Sequence, residues 1–449
     1  MFLSKSEGKV PNILRLLQKK LALGVTILLV TFSRICWYGI FKPYVIYPDS
    51  NGYLGFDTLA MLKGEGTNGR APLYGAFLDF LELFFPANFL PITSIIQAIV
   101  STVSIFVLAK ILIRIGIRPP WCQFCVLFYG VTPAVLGWDT CILTESFSLS
   151  GAIFFFYFVV KYIQEHRFRD EVLCNLISVA LLFLRPQFLA YLALLLVFYI
   201  LKLFFPYNKK ERNTIFALLA VQLLCWMVVL FYCAGFEKQY GIFSISDALP
   251  RQNLIVCVDR GYYKNLDDLE ISQYLSQHLA AGENGSDVCV QAVDIYGNER
   301  VDQTTKQYFA EHLWRYFWDT MNVIEADLGS SFCGYAIGES NYNPDASRFF
   351  YMIDPIQITL FQRVLIVHVL IASMLEGVAM MVVWIGRRTL PWMHMALFSI
   401  SVCTTFLTYF VTCGEYMRTM ISILPYFVCM IGLFLQMCSD TSTKLKEKL

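Results

Sequence analysis

The sequence predicts an all-α polytopic membrane protein of about ten transmembrane helices, with one outer loop large enough to form an α+β domain. Three observations carry this. Of the 449 residues, 57% are hydrophobic and the mean hydropathy is +0.55, whereas soluble domains sit at about 45–50% apolar. Only 15% are charged, against about 25% in an average soluble chain. The apolar residues also fall in runs that can cross, or nearly cross, about 30 Å of hydrocarbon. The net charge of +1 favours no nucleic-acid partner.

The runs lie at 20–40, 90–113, 119–137, 146–163, 172–184, 187–206, 214–234, 357–385, 391–412 and 417–437. The first follows a basic N-terminus. It is longer than a signal-peptide core and lacks a small-residue cleavage site, so it reads as an anchor. The fifth and sixth are divided by "RPQ". Proline removes a backbone donor and blocks a continuous helix, which leaves two readings: two spans, or one kinked span. Loop charge separates them, because short cytoplasmic loops collect Lys and Arg. With a cytoplasmic N-terminus and two spans, every inside segment is basic, from Lys19 and Lys20 to Lys110 and Arg114, Lys209 and Lys210, Arg387 and Arg388, and Lys444 to Lys448. Merging the two spans would put "YNKKERN" outside. Both termini are therefore expected in the cytoplasm.

Three regions follow: a membrane module at 1–234 with its first outer loop at 41–89, an extracytoplasmic loop domain at 235–356, and a second membrane module at 357–449. The loop domain carries 18 acidic against 8 basic residues. "NLIVCVD" and "SDVCVQAVDIYG" alternate as half-buried strands do. "TTKQYFAEHLWRYFWDTMNVI" predicts a helix with Tyr308, Phe309, Leu313, Trp314, Phe317 and Trp318 on it. Such a helix either lies in the membrane interface or packs its aromatics inside the loop domain.

Most of the 14 cysteines lie in apolar runs and read as small core residues. That includes Cys122 and Cys125 of "CQFC", despite their redox spacing. Cys257, Cys289 and Cys333 share the outer loop, where an oxidising compartment would permit one disulfide. "NGS" at Asn284 is a formal glycosylation acceptor.

The polar residues share one face. Asp49 follows the first run, in "YPDSNGYL". Asp139 and Glu145 lie in "WDTCILTES", Arg185 ends the fifth run, and Glu415 and Arg418 lie in "CGEYMR". All fall on the non-cytoplasmic side. Ionisable residues near membrane depth are costly and tend to mark sites. Arg34 and Arg363 lie near run ends, where long side chains snorkel. A carboxylate can serve as general base on a hydroxyl, and arginine suits phosphate. Together they suit group transfer from a lipid phosphate. No HExxH, GxSxG or glycine-rich phosphate loop is present.

"YPDSNGYL" followed by "GRAPLYGAFL" resembles the first outer loop of the GT-C glycosyltransferases, multi-span enzymes that use polyprenyl-phosphate sugars. Protein mannosyltransferases and lipid A aminoarabinose transferases belong to this group. Asp49, Ser50 and Tyr53 match a "PDS-x-x-Y" stretch. Arg70, Pro72 and Tyr74 match "R-x-P-x-Y-P", with Gly75 where proline is usual. "LTESFSLSG", "LFLRPQF" and "GEYMRTMISILPYF" resemble later elements, although Tyr416 precedes Arg418 rather than following it. The resemblance covers the first 190 residues and the last 40.

It implies a GT-C-like fold and a transferase in the plasma membrane. Asp49 would be the catalytic base, and Arg70, Tyr74, Glu145, Arg185, Glu415 and Arg418 would surround the substrates. No metal ligand is assigned. Members differ in using a divalent metal, so the cofactor stays open. The implied partners are a polyprenyl-phosphate-linked sugar, a glycan, lipid or protein acceptor, and the bilayer. Two other readings stand: a flippase for a lipid-linked glycan, and a glycan polymerase or ligase.

Overall fold

The computed structural model describes residues 12–40, 43–63, 69–204, 209–329, 365–387, 391–411, 419 and 421–448. They are helical almost throughout. In the N-terminal region run α1 (Asn12–Ile40), α2 (Thr58–Lys63), α3 (Pro72–Phe84), α4 (Phe89–Arg114), α5 (Trp121–Val131) and α6 (Pro133–Thr140). They are followed by α7 (Glu145–Glu165), α8 (Phe168–Leu184), α9 (Leu189–Phe204) and α10 (Lys209–Tyr240). The segment expected as the loop domain holds α11 (Ala248–Asp259), α12 (Leu269–Ala280), α13 (Gly285–Tyr296), α14 (Asn298–Glu311) and α15 (Leu313–Gly329). The chain returns through α16 (Leu365–Arg387), α17 (Trp392–Val411) and α18 (Leu424–Lys448).

Six described helices are long and apolar enough to cross a membrane: Phe89–Arg114, Glu145–Glu165, Pro186–Phe204, Arg212–Tyr240, Trp392–Phe410 and Ile421–Asp440. Leu23–Tyr38, Trp121–Val131 and Val369–Ile385 are apolar but shorter. The chain is thus a helical polytopic membrane protein, with fewer full-length spans among the described residues than the ten expected. The expected span at 119–137 is broken. Thr132 is extended (φ −67°, ψ 129°) and Pro133 opens α6, because proline is tolerated in a first helical turn but not in an interior.

A break at membrane depth leaves carbonyls that hydrocarbon cannot satisfy. Two side chains supply donors. Gln97 of α4 donates to the carbonyls of Trp138, Asp139 and Cys141 at 3.2, 3.1 and 2.7 Å. Arg34 of α1 donates to the Gly130 carbonyl at 3.0 Å and to Ser101 Oγ at 2.8 Å. Arg34 also pairs with Asp139 at 3.2 Å, and both side chains are buried. The expectation that Arg34 snorkels to an interface is therefore wrong. Its length is used inward, to hold a helix break.

The fifth and sixth runs form a hairpin. Arg185 is extended (φ −150°, ψ 126°) and Pro186 opens a short 3-10 turn. Asn175 of α8 donates to the Tyr199 hydroxyl of α9 at 2.7 Å. Along one straight helix those residues would stand about 36 Å apart. Near the centre lies α7, packed by aromatic contacts: Phe155 stacks on Tyr191 at 4.6 Å, and Phe156 meets the edge of Tyr426 at 5.1 Å.

The outer-loop strands are not found. "NLIVCVD" lies in α11 and "SDVCVQAVDIY" in α13. The described part of the loop contains no strand. In α13 the buried residues are Val288, Cys289, Ala292 and Val293, a spacing that marks one helical face and not the period of two of a strand. Asn284 starts this helix by accepting from the Ser286 and Asp287 amides. Cys257 and Cys289 are buried in the segment's own core, and burial pushes the Cys257 thiol up. Cys333 lies outside the described residues.

The aromatic helix divides its side chains. Tyr308, Phe309 and Tyr316 join the loop core. The Tyr316 hydroxyl also donates to the carbonyl of Phe410, the last residue of a candidate span. Leu313, Trp314 and Trp318 remain exposed. Tryptophan at the end of a span suits the headgroup region; the single helix expected here is two, α14 and α15, broken at His312, and between them they combine the two arrangements the sequence allowed.

Candidate active site

The segment that follows α1 is fastened to the segment that precedes α7. Val45 pairs with Cys141 in an isolated parallel bridge, donating to Thr140 O at 2.9 Å and accepting from Ile142 N at 3.0 Å. This brings the 3-10 turn Pro48–Gly52 next to the start of α7. Pro48 opens that turn, and the buried Ser50 hydroxyl accepts from the Tyr47 amide at 2.9 Å. Asp49 is left facing outward, with its side chain 43% exposed.

Two acid–arginine pairs result. Arg70 meets Asp49 at 3.3 Å, both partly exposed. Arg185 meets Glu145 at 3.3 Å, where Glu145 is fully buried and Arg185 partly so. Glu145 occupies the first turn of α7 and Arg185 caps the C-terminus of α8. Each charge thus sits at the helix end whose dipole favours it.

Between the pairs lies Tyr53, 8% exposed. Burial pushes its hydroxyl up; Arg70 and Arg185 oppose that shift, while Glu145 and Asp49 add to it. All four expected charges are therefore close enough to act on one phenol. The Arg70 guanidinium lies 5.7 Å from the Tyr53 ring centre, a cation–π distance. Tyr53 meets Tyr74 edge-on at 5.2 Å. Tyr74 is itself fully buried and donates to Gln97 Oε1 at 2.7 Å. Tyr74 thus supports the site from behind rather than facing solvent, and it links the site to the Gln97 brace of the helix break.

Of the seven residues expected at the site, Asp49, Arg70, Tyr74, Glu145 and Arg185 come together. Glu415 and Arg418 lie outside the described residues. Thr419, which is described, accepts from Gln187 Nε2 at 3.0 Å, two residues after Arg185. Tyr53 was not expected as a site residue. Its signal was present, since it closes the "PDSNGY" stretch.

The stretch that follows α10 reaches the same place. The Asp247 amide donates to Gly69 O at 2.6 Å, and Arg251 pairs with the Asp247 carboxylate at 3.1 Å. Burial pushes the Asp247 carboxyl up, against the pull of Arg251 and Arg70. Gly69 has φ +71°, and a Cβ there would collide with the Asp247 carboxylate. Gly69→Ala should cost about 1–2 kcal/mol for the left-handed backbone alone and should detach this contact. Limited proteolysis should then cut faster between 241 and 247 with helix content unchanged. Unaltered protection would show that the contact fastens nothing.

Apolar space flanks α3 on both sides. One cleft, about 620 Å³, runs between α3, α8 and α10 past Leu73, Phe183, Phe231 and Phe236. The other, about 310 Å³, lies between α3, α4, α7 and α8. The larger falls in the range of ligand pockets. It passes Pro72 and Phe183, each two residues from a site arginine.

Among the described residues no group of three or more His, Cys, Asp or Glu side chains is placed to hold a metal. Asp49 and Glu145 each face an arginine. Among the described residues this donor set does not form a divalent-cation site, and no step is derived through one.

No protein-family model matches the chain, and no curated protein sequence matches it. Among solved structures it is similar to the archaeal oligosaccharyltransferase AglB from Archaeoglobus fulgidus in complex with an inhibitory peptide and a dolichol-phosphate. There the TM-score is 0.43 at 10% identity, over 95% of this chain and 48% of that one. It is also similar to the Archaeoglobus fulgidus oligosaccharyltransferase in complex with zinc and sulfate, with TM-score 0.42 at 10% identity, over 86% of this chain and 43% of that one. The chain spans about half the length of these structures.

Proposed function

We propose that this chain is an integral-membrane glycosyltransferase of GT-C type. It moves a sugar from a polyprenyl-phosphate carrier to a glycan, lipid or protein acceptor at the extracytoplasmic face. The observation that carries this reading is the gathering of two acid–arginine pairs around Tyr53, beside an apolar cleft of about 620 Å³. A lipid-linked donor needs both an apolar groove for its chain and cations for its phosphate.

The acceptor hydroxyl attacks the sugar's anomeric carbon as the bond from that carbon to the phosphate oxygen breaks. The leaving oxygen takes the electron pair, and Asp49 takes the acceptor proton. Arg70 and Arg185 stabilise the charge that develops on the leaving phosphate. The Asp49–Arg70 pair is a resting arrangement: phosphate draws Arg70 away and leaves Asp49 free to act as base. Glu145 holds Arg185 in place, and Tyr74 steadies Tyr53. The loop domain at 235–356 recognises the acceptor, between membrane modules at 1–234 and 357–449. Glu415 and Arg418 complete the donor site.

A flippase would want ionisable groups buried along a path. The buried Arg34–Asp139 pair is such a feature, but Arg34 already serves Gly130 and Ser101, and Ser146 serves Asp139 at 2.7 Å. That pair is spent on structure.

The test is incubation of the purified protein with polyprenyl-phosphate sugars and mass analysis of the products. Sugar reappearing on a new acceptor supports transfer, and donor recovered intact from every acceptor class would end the proposal. Topology is checked separately. A cysteine placed at the exposed Glu283 should react with a membrane-impermeant maleimide from outside intact cells. Labelling only after the membrane is breached would invert the assignment of every site residue.

A further inference from the structure

A third cavity lies at the other end of α7. Its walls include Phe155 and Tyr162 of α7, Glu171 of α8, Phe198 of α9, and Trp392 and Ser399 of α17. Tyr162 is seventeen residues from Glu145, so this cavity stands about 25 Å along the helix from the candidate active site. Its volume is about 80 Å³. That is the volume of about three water molecules. It takes a small head or one chain end and is too narrow for a sugar.

The walls are apolar except at one place. Glu171 is 1% exposed, and its Oε2 has no hydrogen-bond partner. Tyr199 and Cys174 lie close enough to act on the carboxylate, yet Oε2 itself receives no donor. Lys202, also buried, lies 4.8 Å from the Trp392 ring centre, and its charge acts on Glu171. A buried acceptor without a donor costs about 1–3 kcal/mol. A cavity lined by such an acceptor favours a ligand that brings the donor.

Access is sideways. Val197 of α9 lines the cavity and is half exposed, and α9 and α17 each carry a candidate span. Glu171 sits in the first turn of α8. The exposed Arg167 and Arg169 at that end suit a headgroup level.

We infer that this cavity is a lipid site: it takes an amphiphile whose head offers a hydrogen-bond donor, an ammonium or a hydroxyl, to Glu171 Oε2, with an apolar chain lying between α9 and α17. The site is distinct from the proposed transfer centre and does not depend on it.

The experiment is native mass spectrometry of the full chain from detergent, titrated with lipids that share acyl chains. Phosphatidylethanolamine carries an ammonium donor, diacylglycerol a hydroxyl, and phosphatidylcholine neither. At least one donor lipid should be retained about tenfold better than phosphatidylcholine, the ratio expected for one charge-assisted hydrogen bond. Preference for phosphatidylethanolamine alone identifies an ammonium ligand, and equal preference for diacylglycerol shows that a hydroxyl suffices. Glu171→Gln keeps the volume and should erase the preference. Ala396→Trp, which fills the cavity without touching the acid, should do the same should Glu171→Gln fail to fold. Equal retention of all three lipids by the unaltered chain would overturn the inference, as would a preference that survives the filled cavity.

Discussion

Asp49→Asn should reduce sugar transfer by about two to four orders of magnitude, the usual contribution of a general base, while the protein folds and inserts normally. The two halves of that expectation rest on separate observations. Asparagine keeps the side chain's size but cannot accept a proton at neutral pH. Stability should hardly move, because the Asp49 side chain is 43% exposed and Arg70 28% exposed. Solvent-screened pairs of that kind contribute about 0–1 kcal/mol. The turn itself is held by Pro48 and by Ser50, whose hydroxyl caps Tyr47. The measurement is transfer rate beside thermal stability in detergent. A rate within threefold of the unaltered protein would remove Asp49 from the mechanism. A collapse of stability would show that the residue is structural. Arg70→Ala gives the complementary outcome: if Arg70 meets the donor phosphate, apparent donor affinity falls as well as rate.

The sequence made the helical membrane character legible because bilayer spans demand long apolar runs and leave a strong mark on composition. The hairpin at Arg185 and Pro186 was legible for the same kind of reason, since proline and loop charge are local signals. The gathering of Asp49, Arg70, Glu145 and Arg185 was legible only as a shared face. Which acid meets which arginine depends on the bridge from Val45 to Cys141, a contact with no sequence signature. The outer-loop strands were misread because short apolar alternations such as that around Val288 and Val293 also fit i, i+4 and i+5 on a helix. Arg34 was misread because position along a run cannot tell whether a long side chain turns toward water or toward a neighbour. Asp247 was invisible as a site neighbour because its contact with Gly69 joins segments 178 residues apart.

Arg34→Ala should be among the most damaging single changes in the membrane region, costing about 3–5 kcal/mol, the usual penalty for leaving a buried charge without its partner. Asp139 is 2% exposed and would be left with neutral hydroxyls, Ser146 among them, against its charge. The same substitution strips a donor from the Gly130 carbonyl, next to the helix break at Thr132. An unsatisfied group at that depth cannot turn to water. Arg34→Lys should recover part of the loss, because an ammonium replaces the charge but cannot span Asp139, Gly130 and Ser101 in one fork. The decisive measurement is a double-mutant cycle on thermal stability. Arg34→Met with Asp139→Leu should cost less than the sum of the two single changes by at least about 2 kcal/mol, since removing both charges leaves neither stranded. Strict additivity would mean that the pair is no pair in the membrane. The activity of whatever folds is informative too. The break that Arg34 braces leads through α6 to Cys141, and Cys141 carries the bridge to Val45 that sets Asp49 beside Glu145. Loosening the brace should therefore lower the transfer rate of the folded fraction, although Arg34 belongs to the helix bundle and touches no substrate.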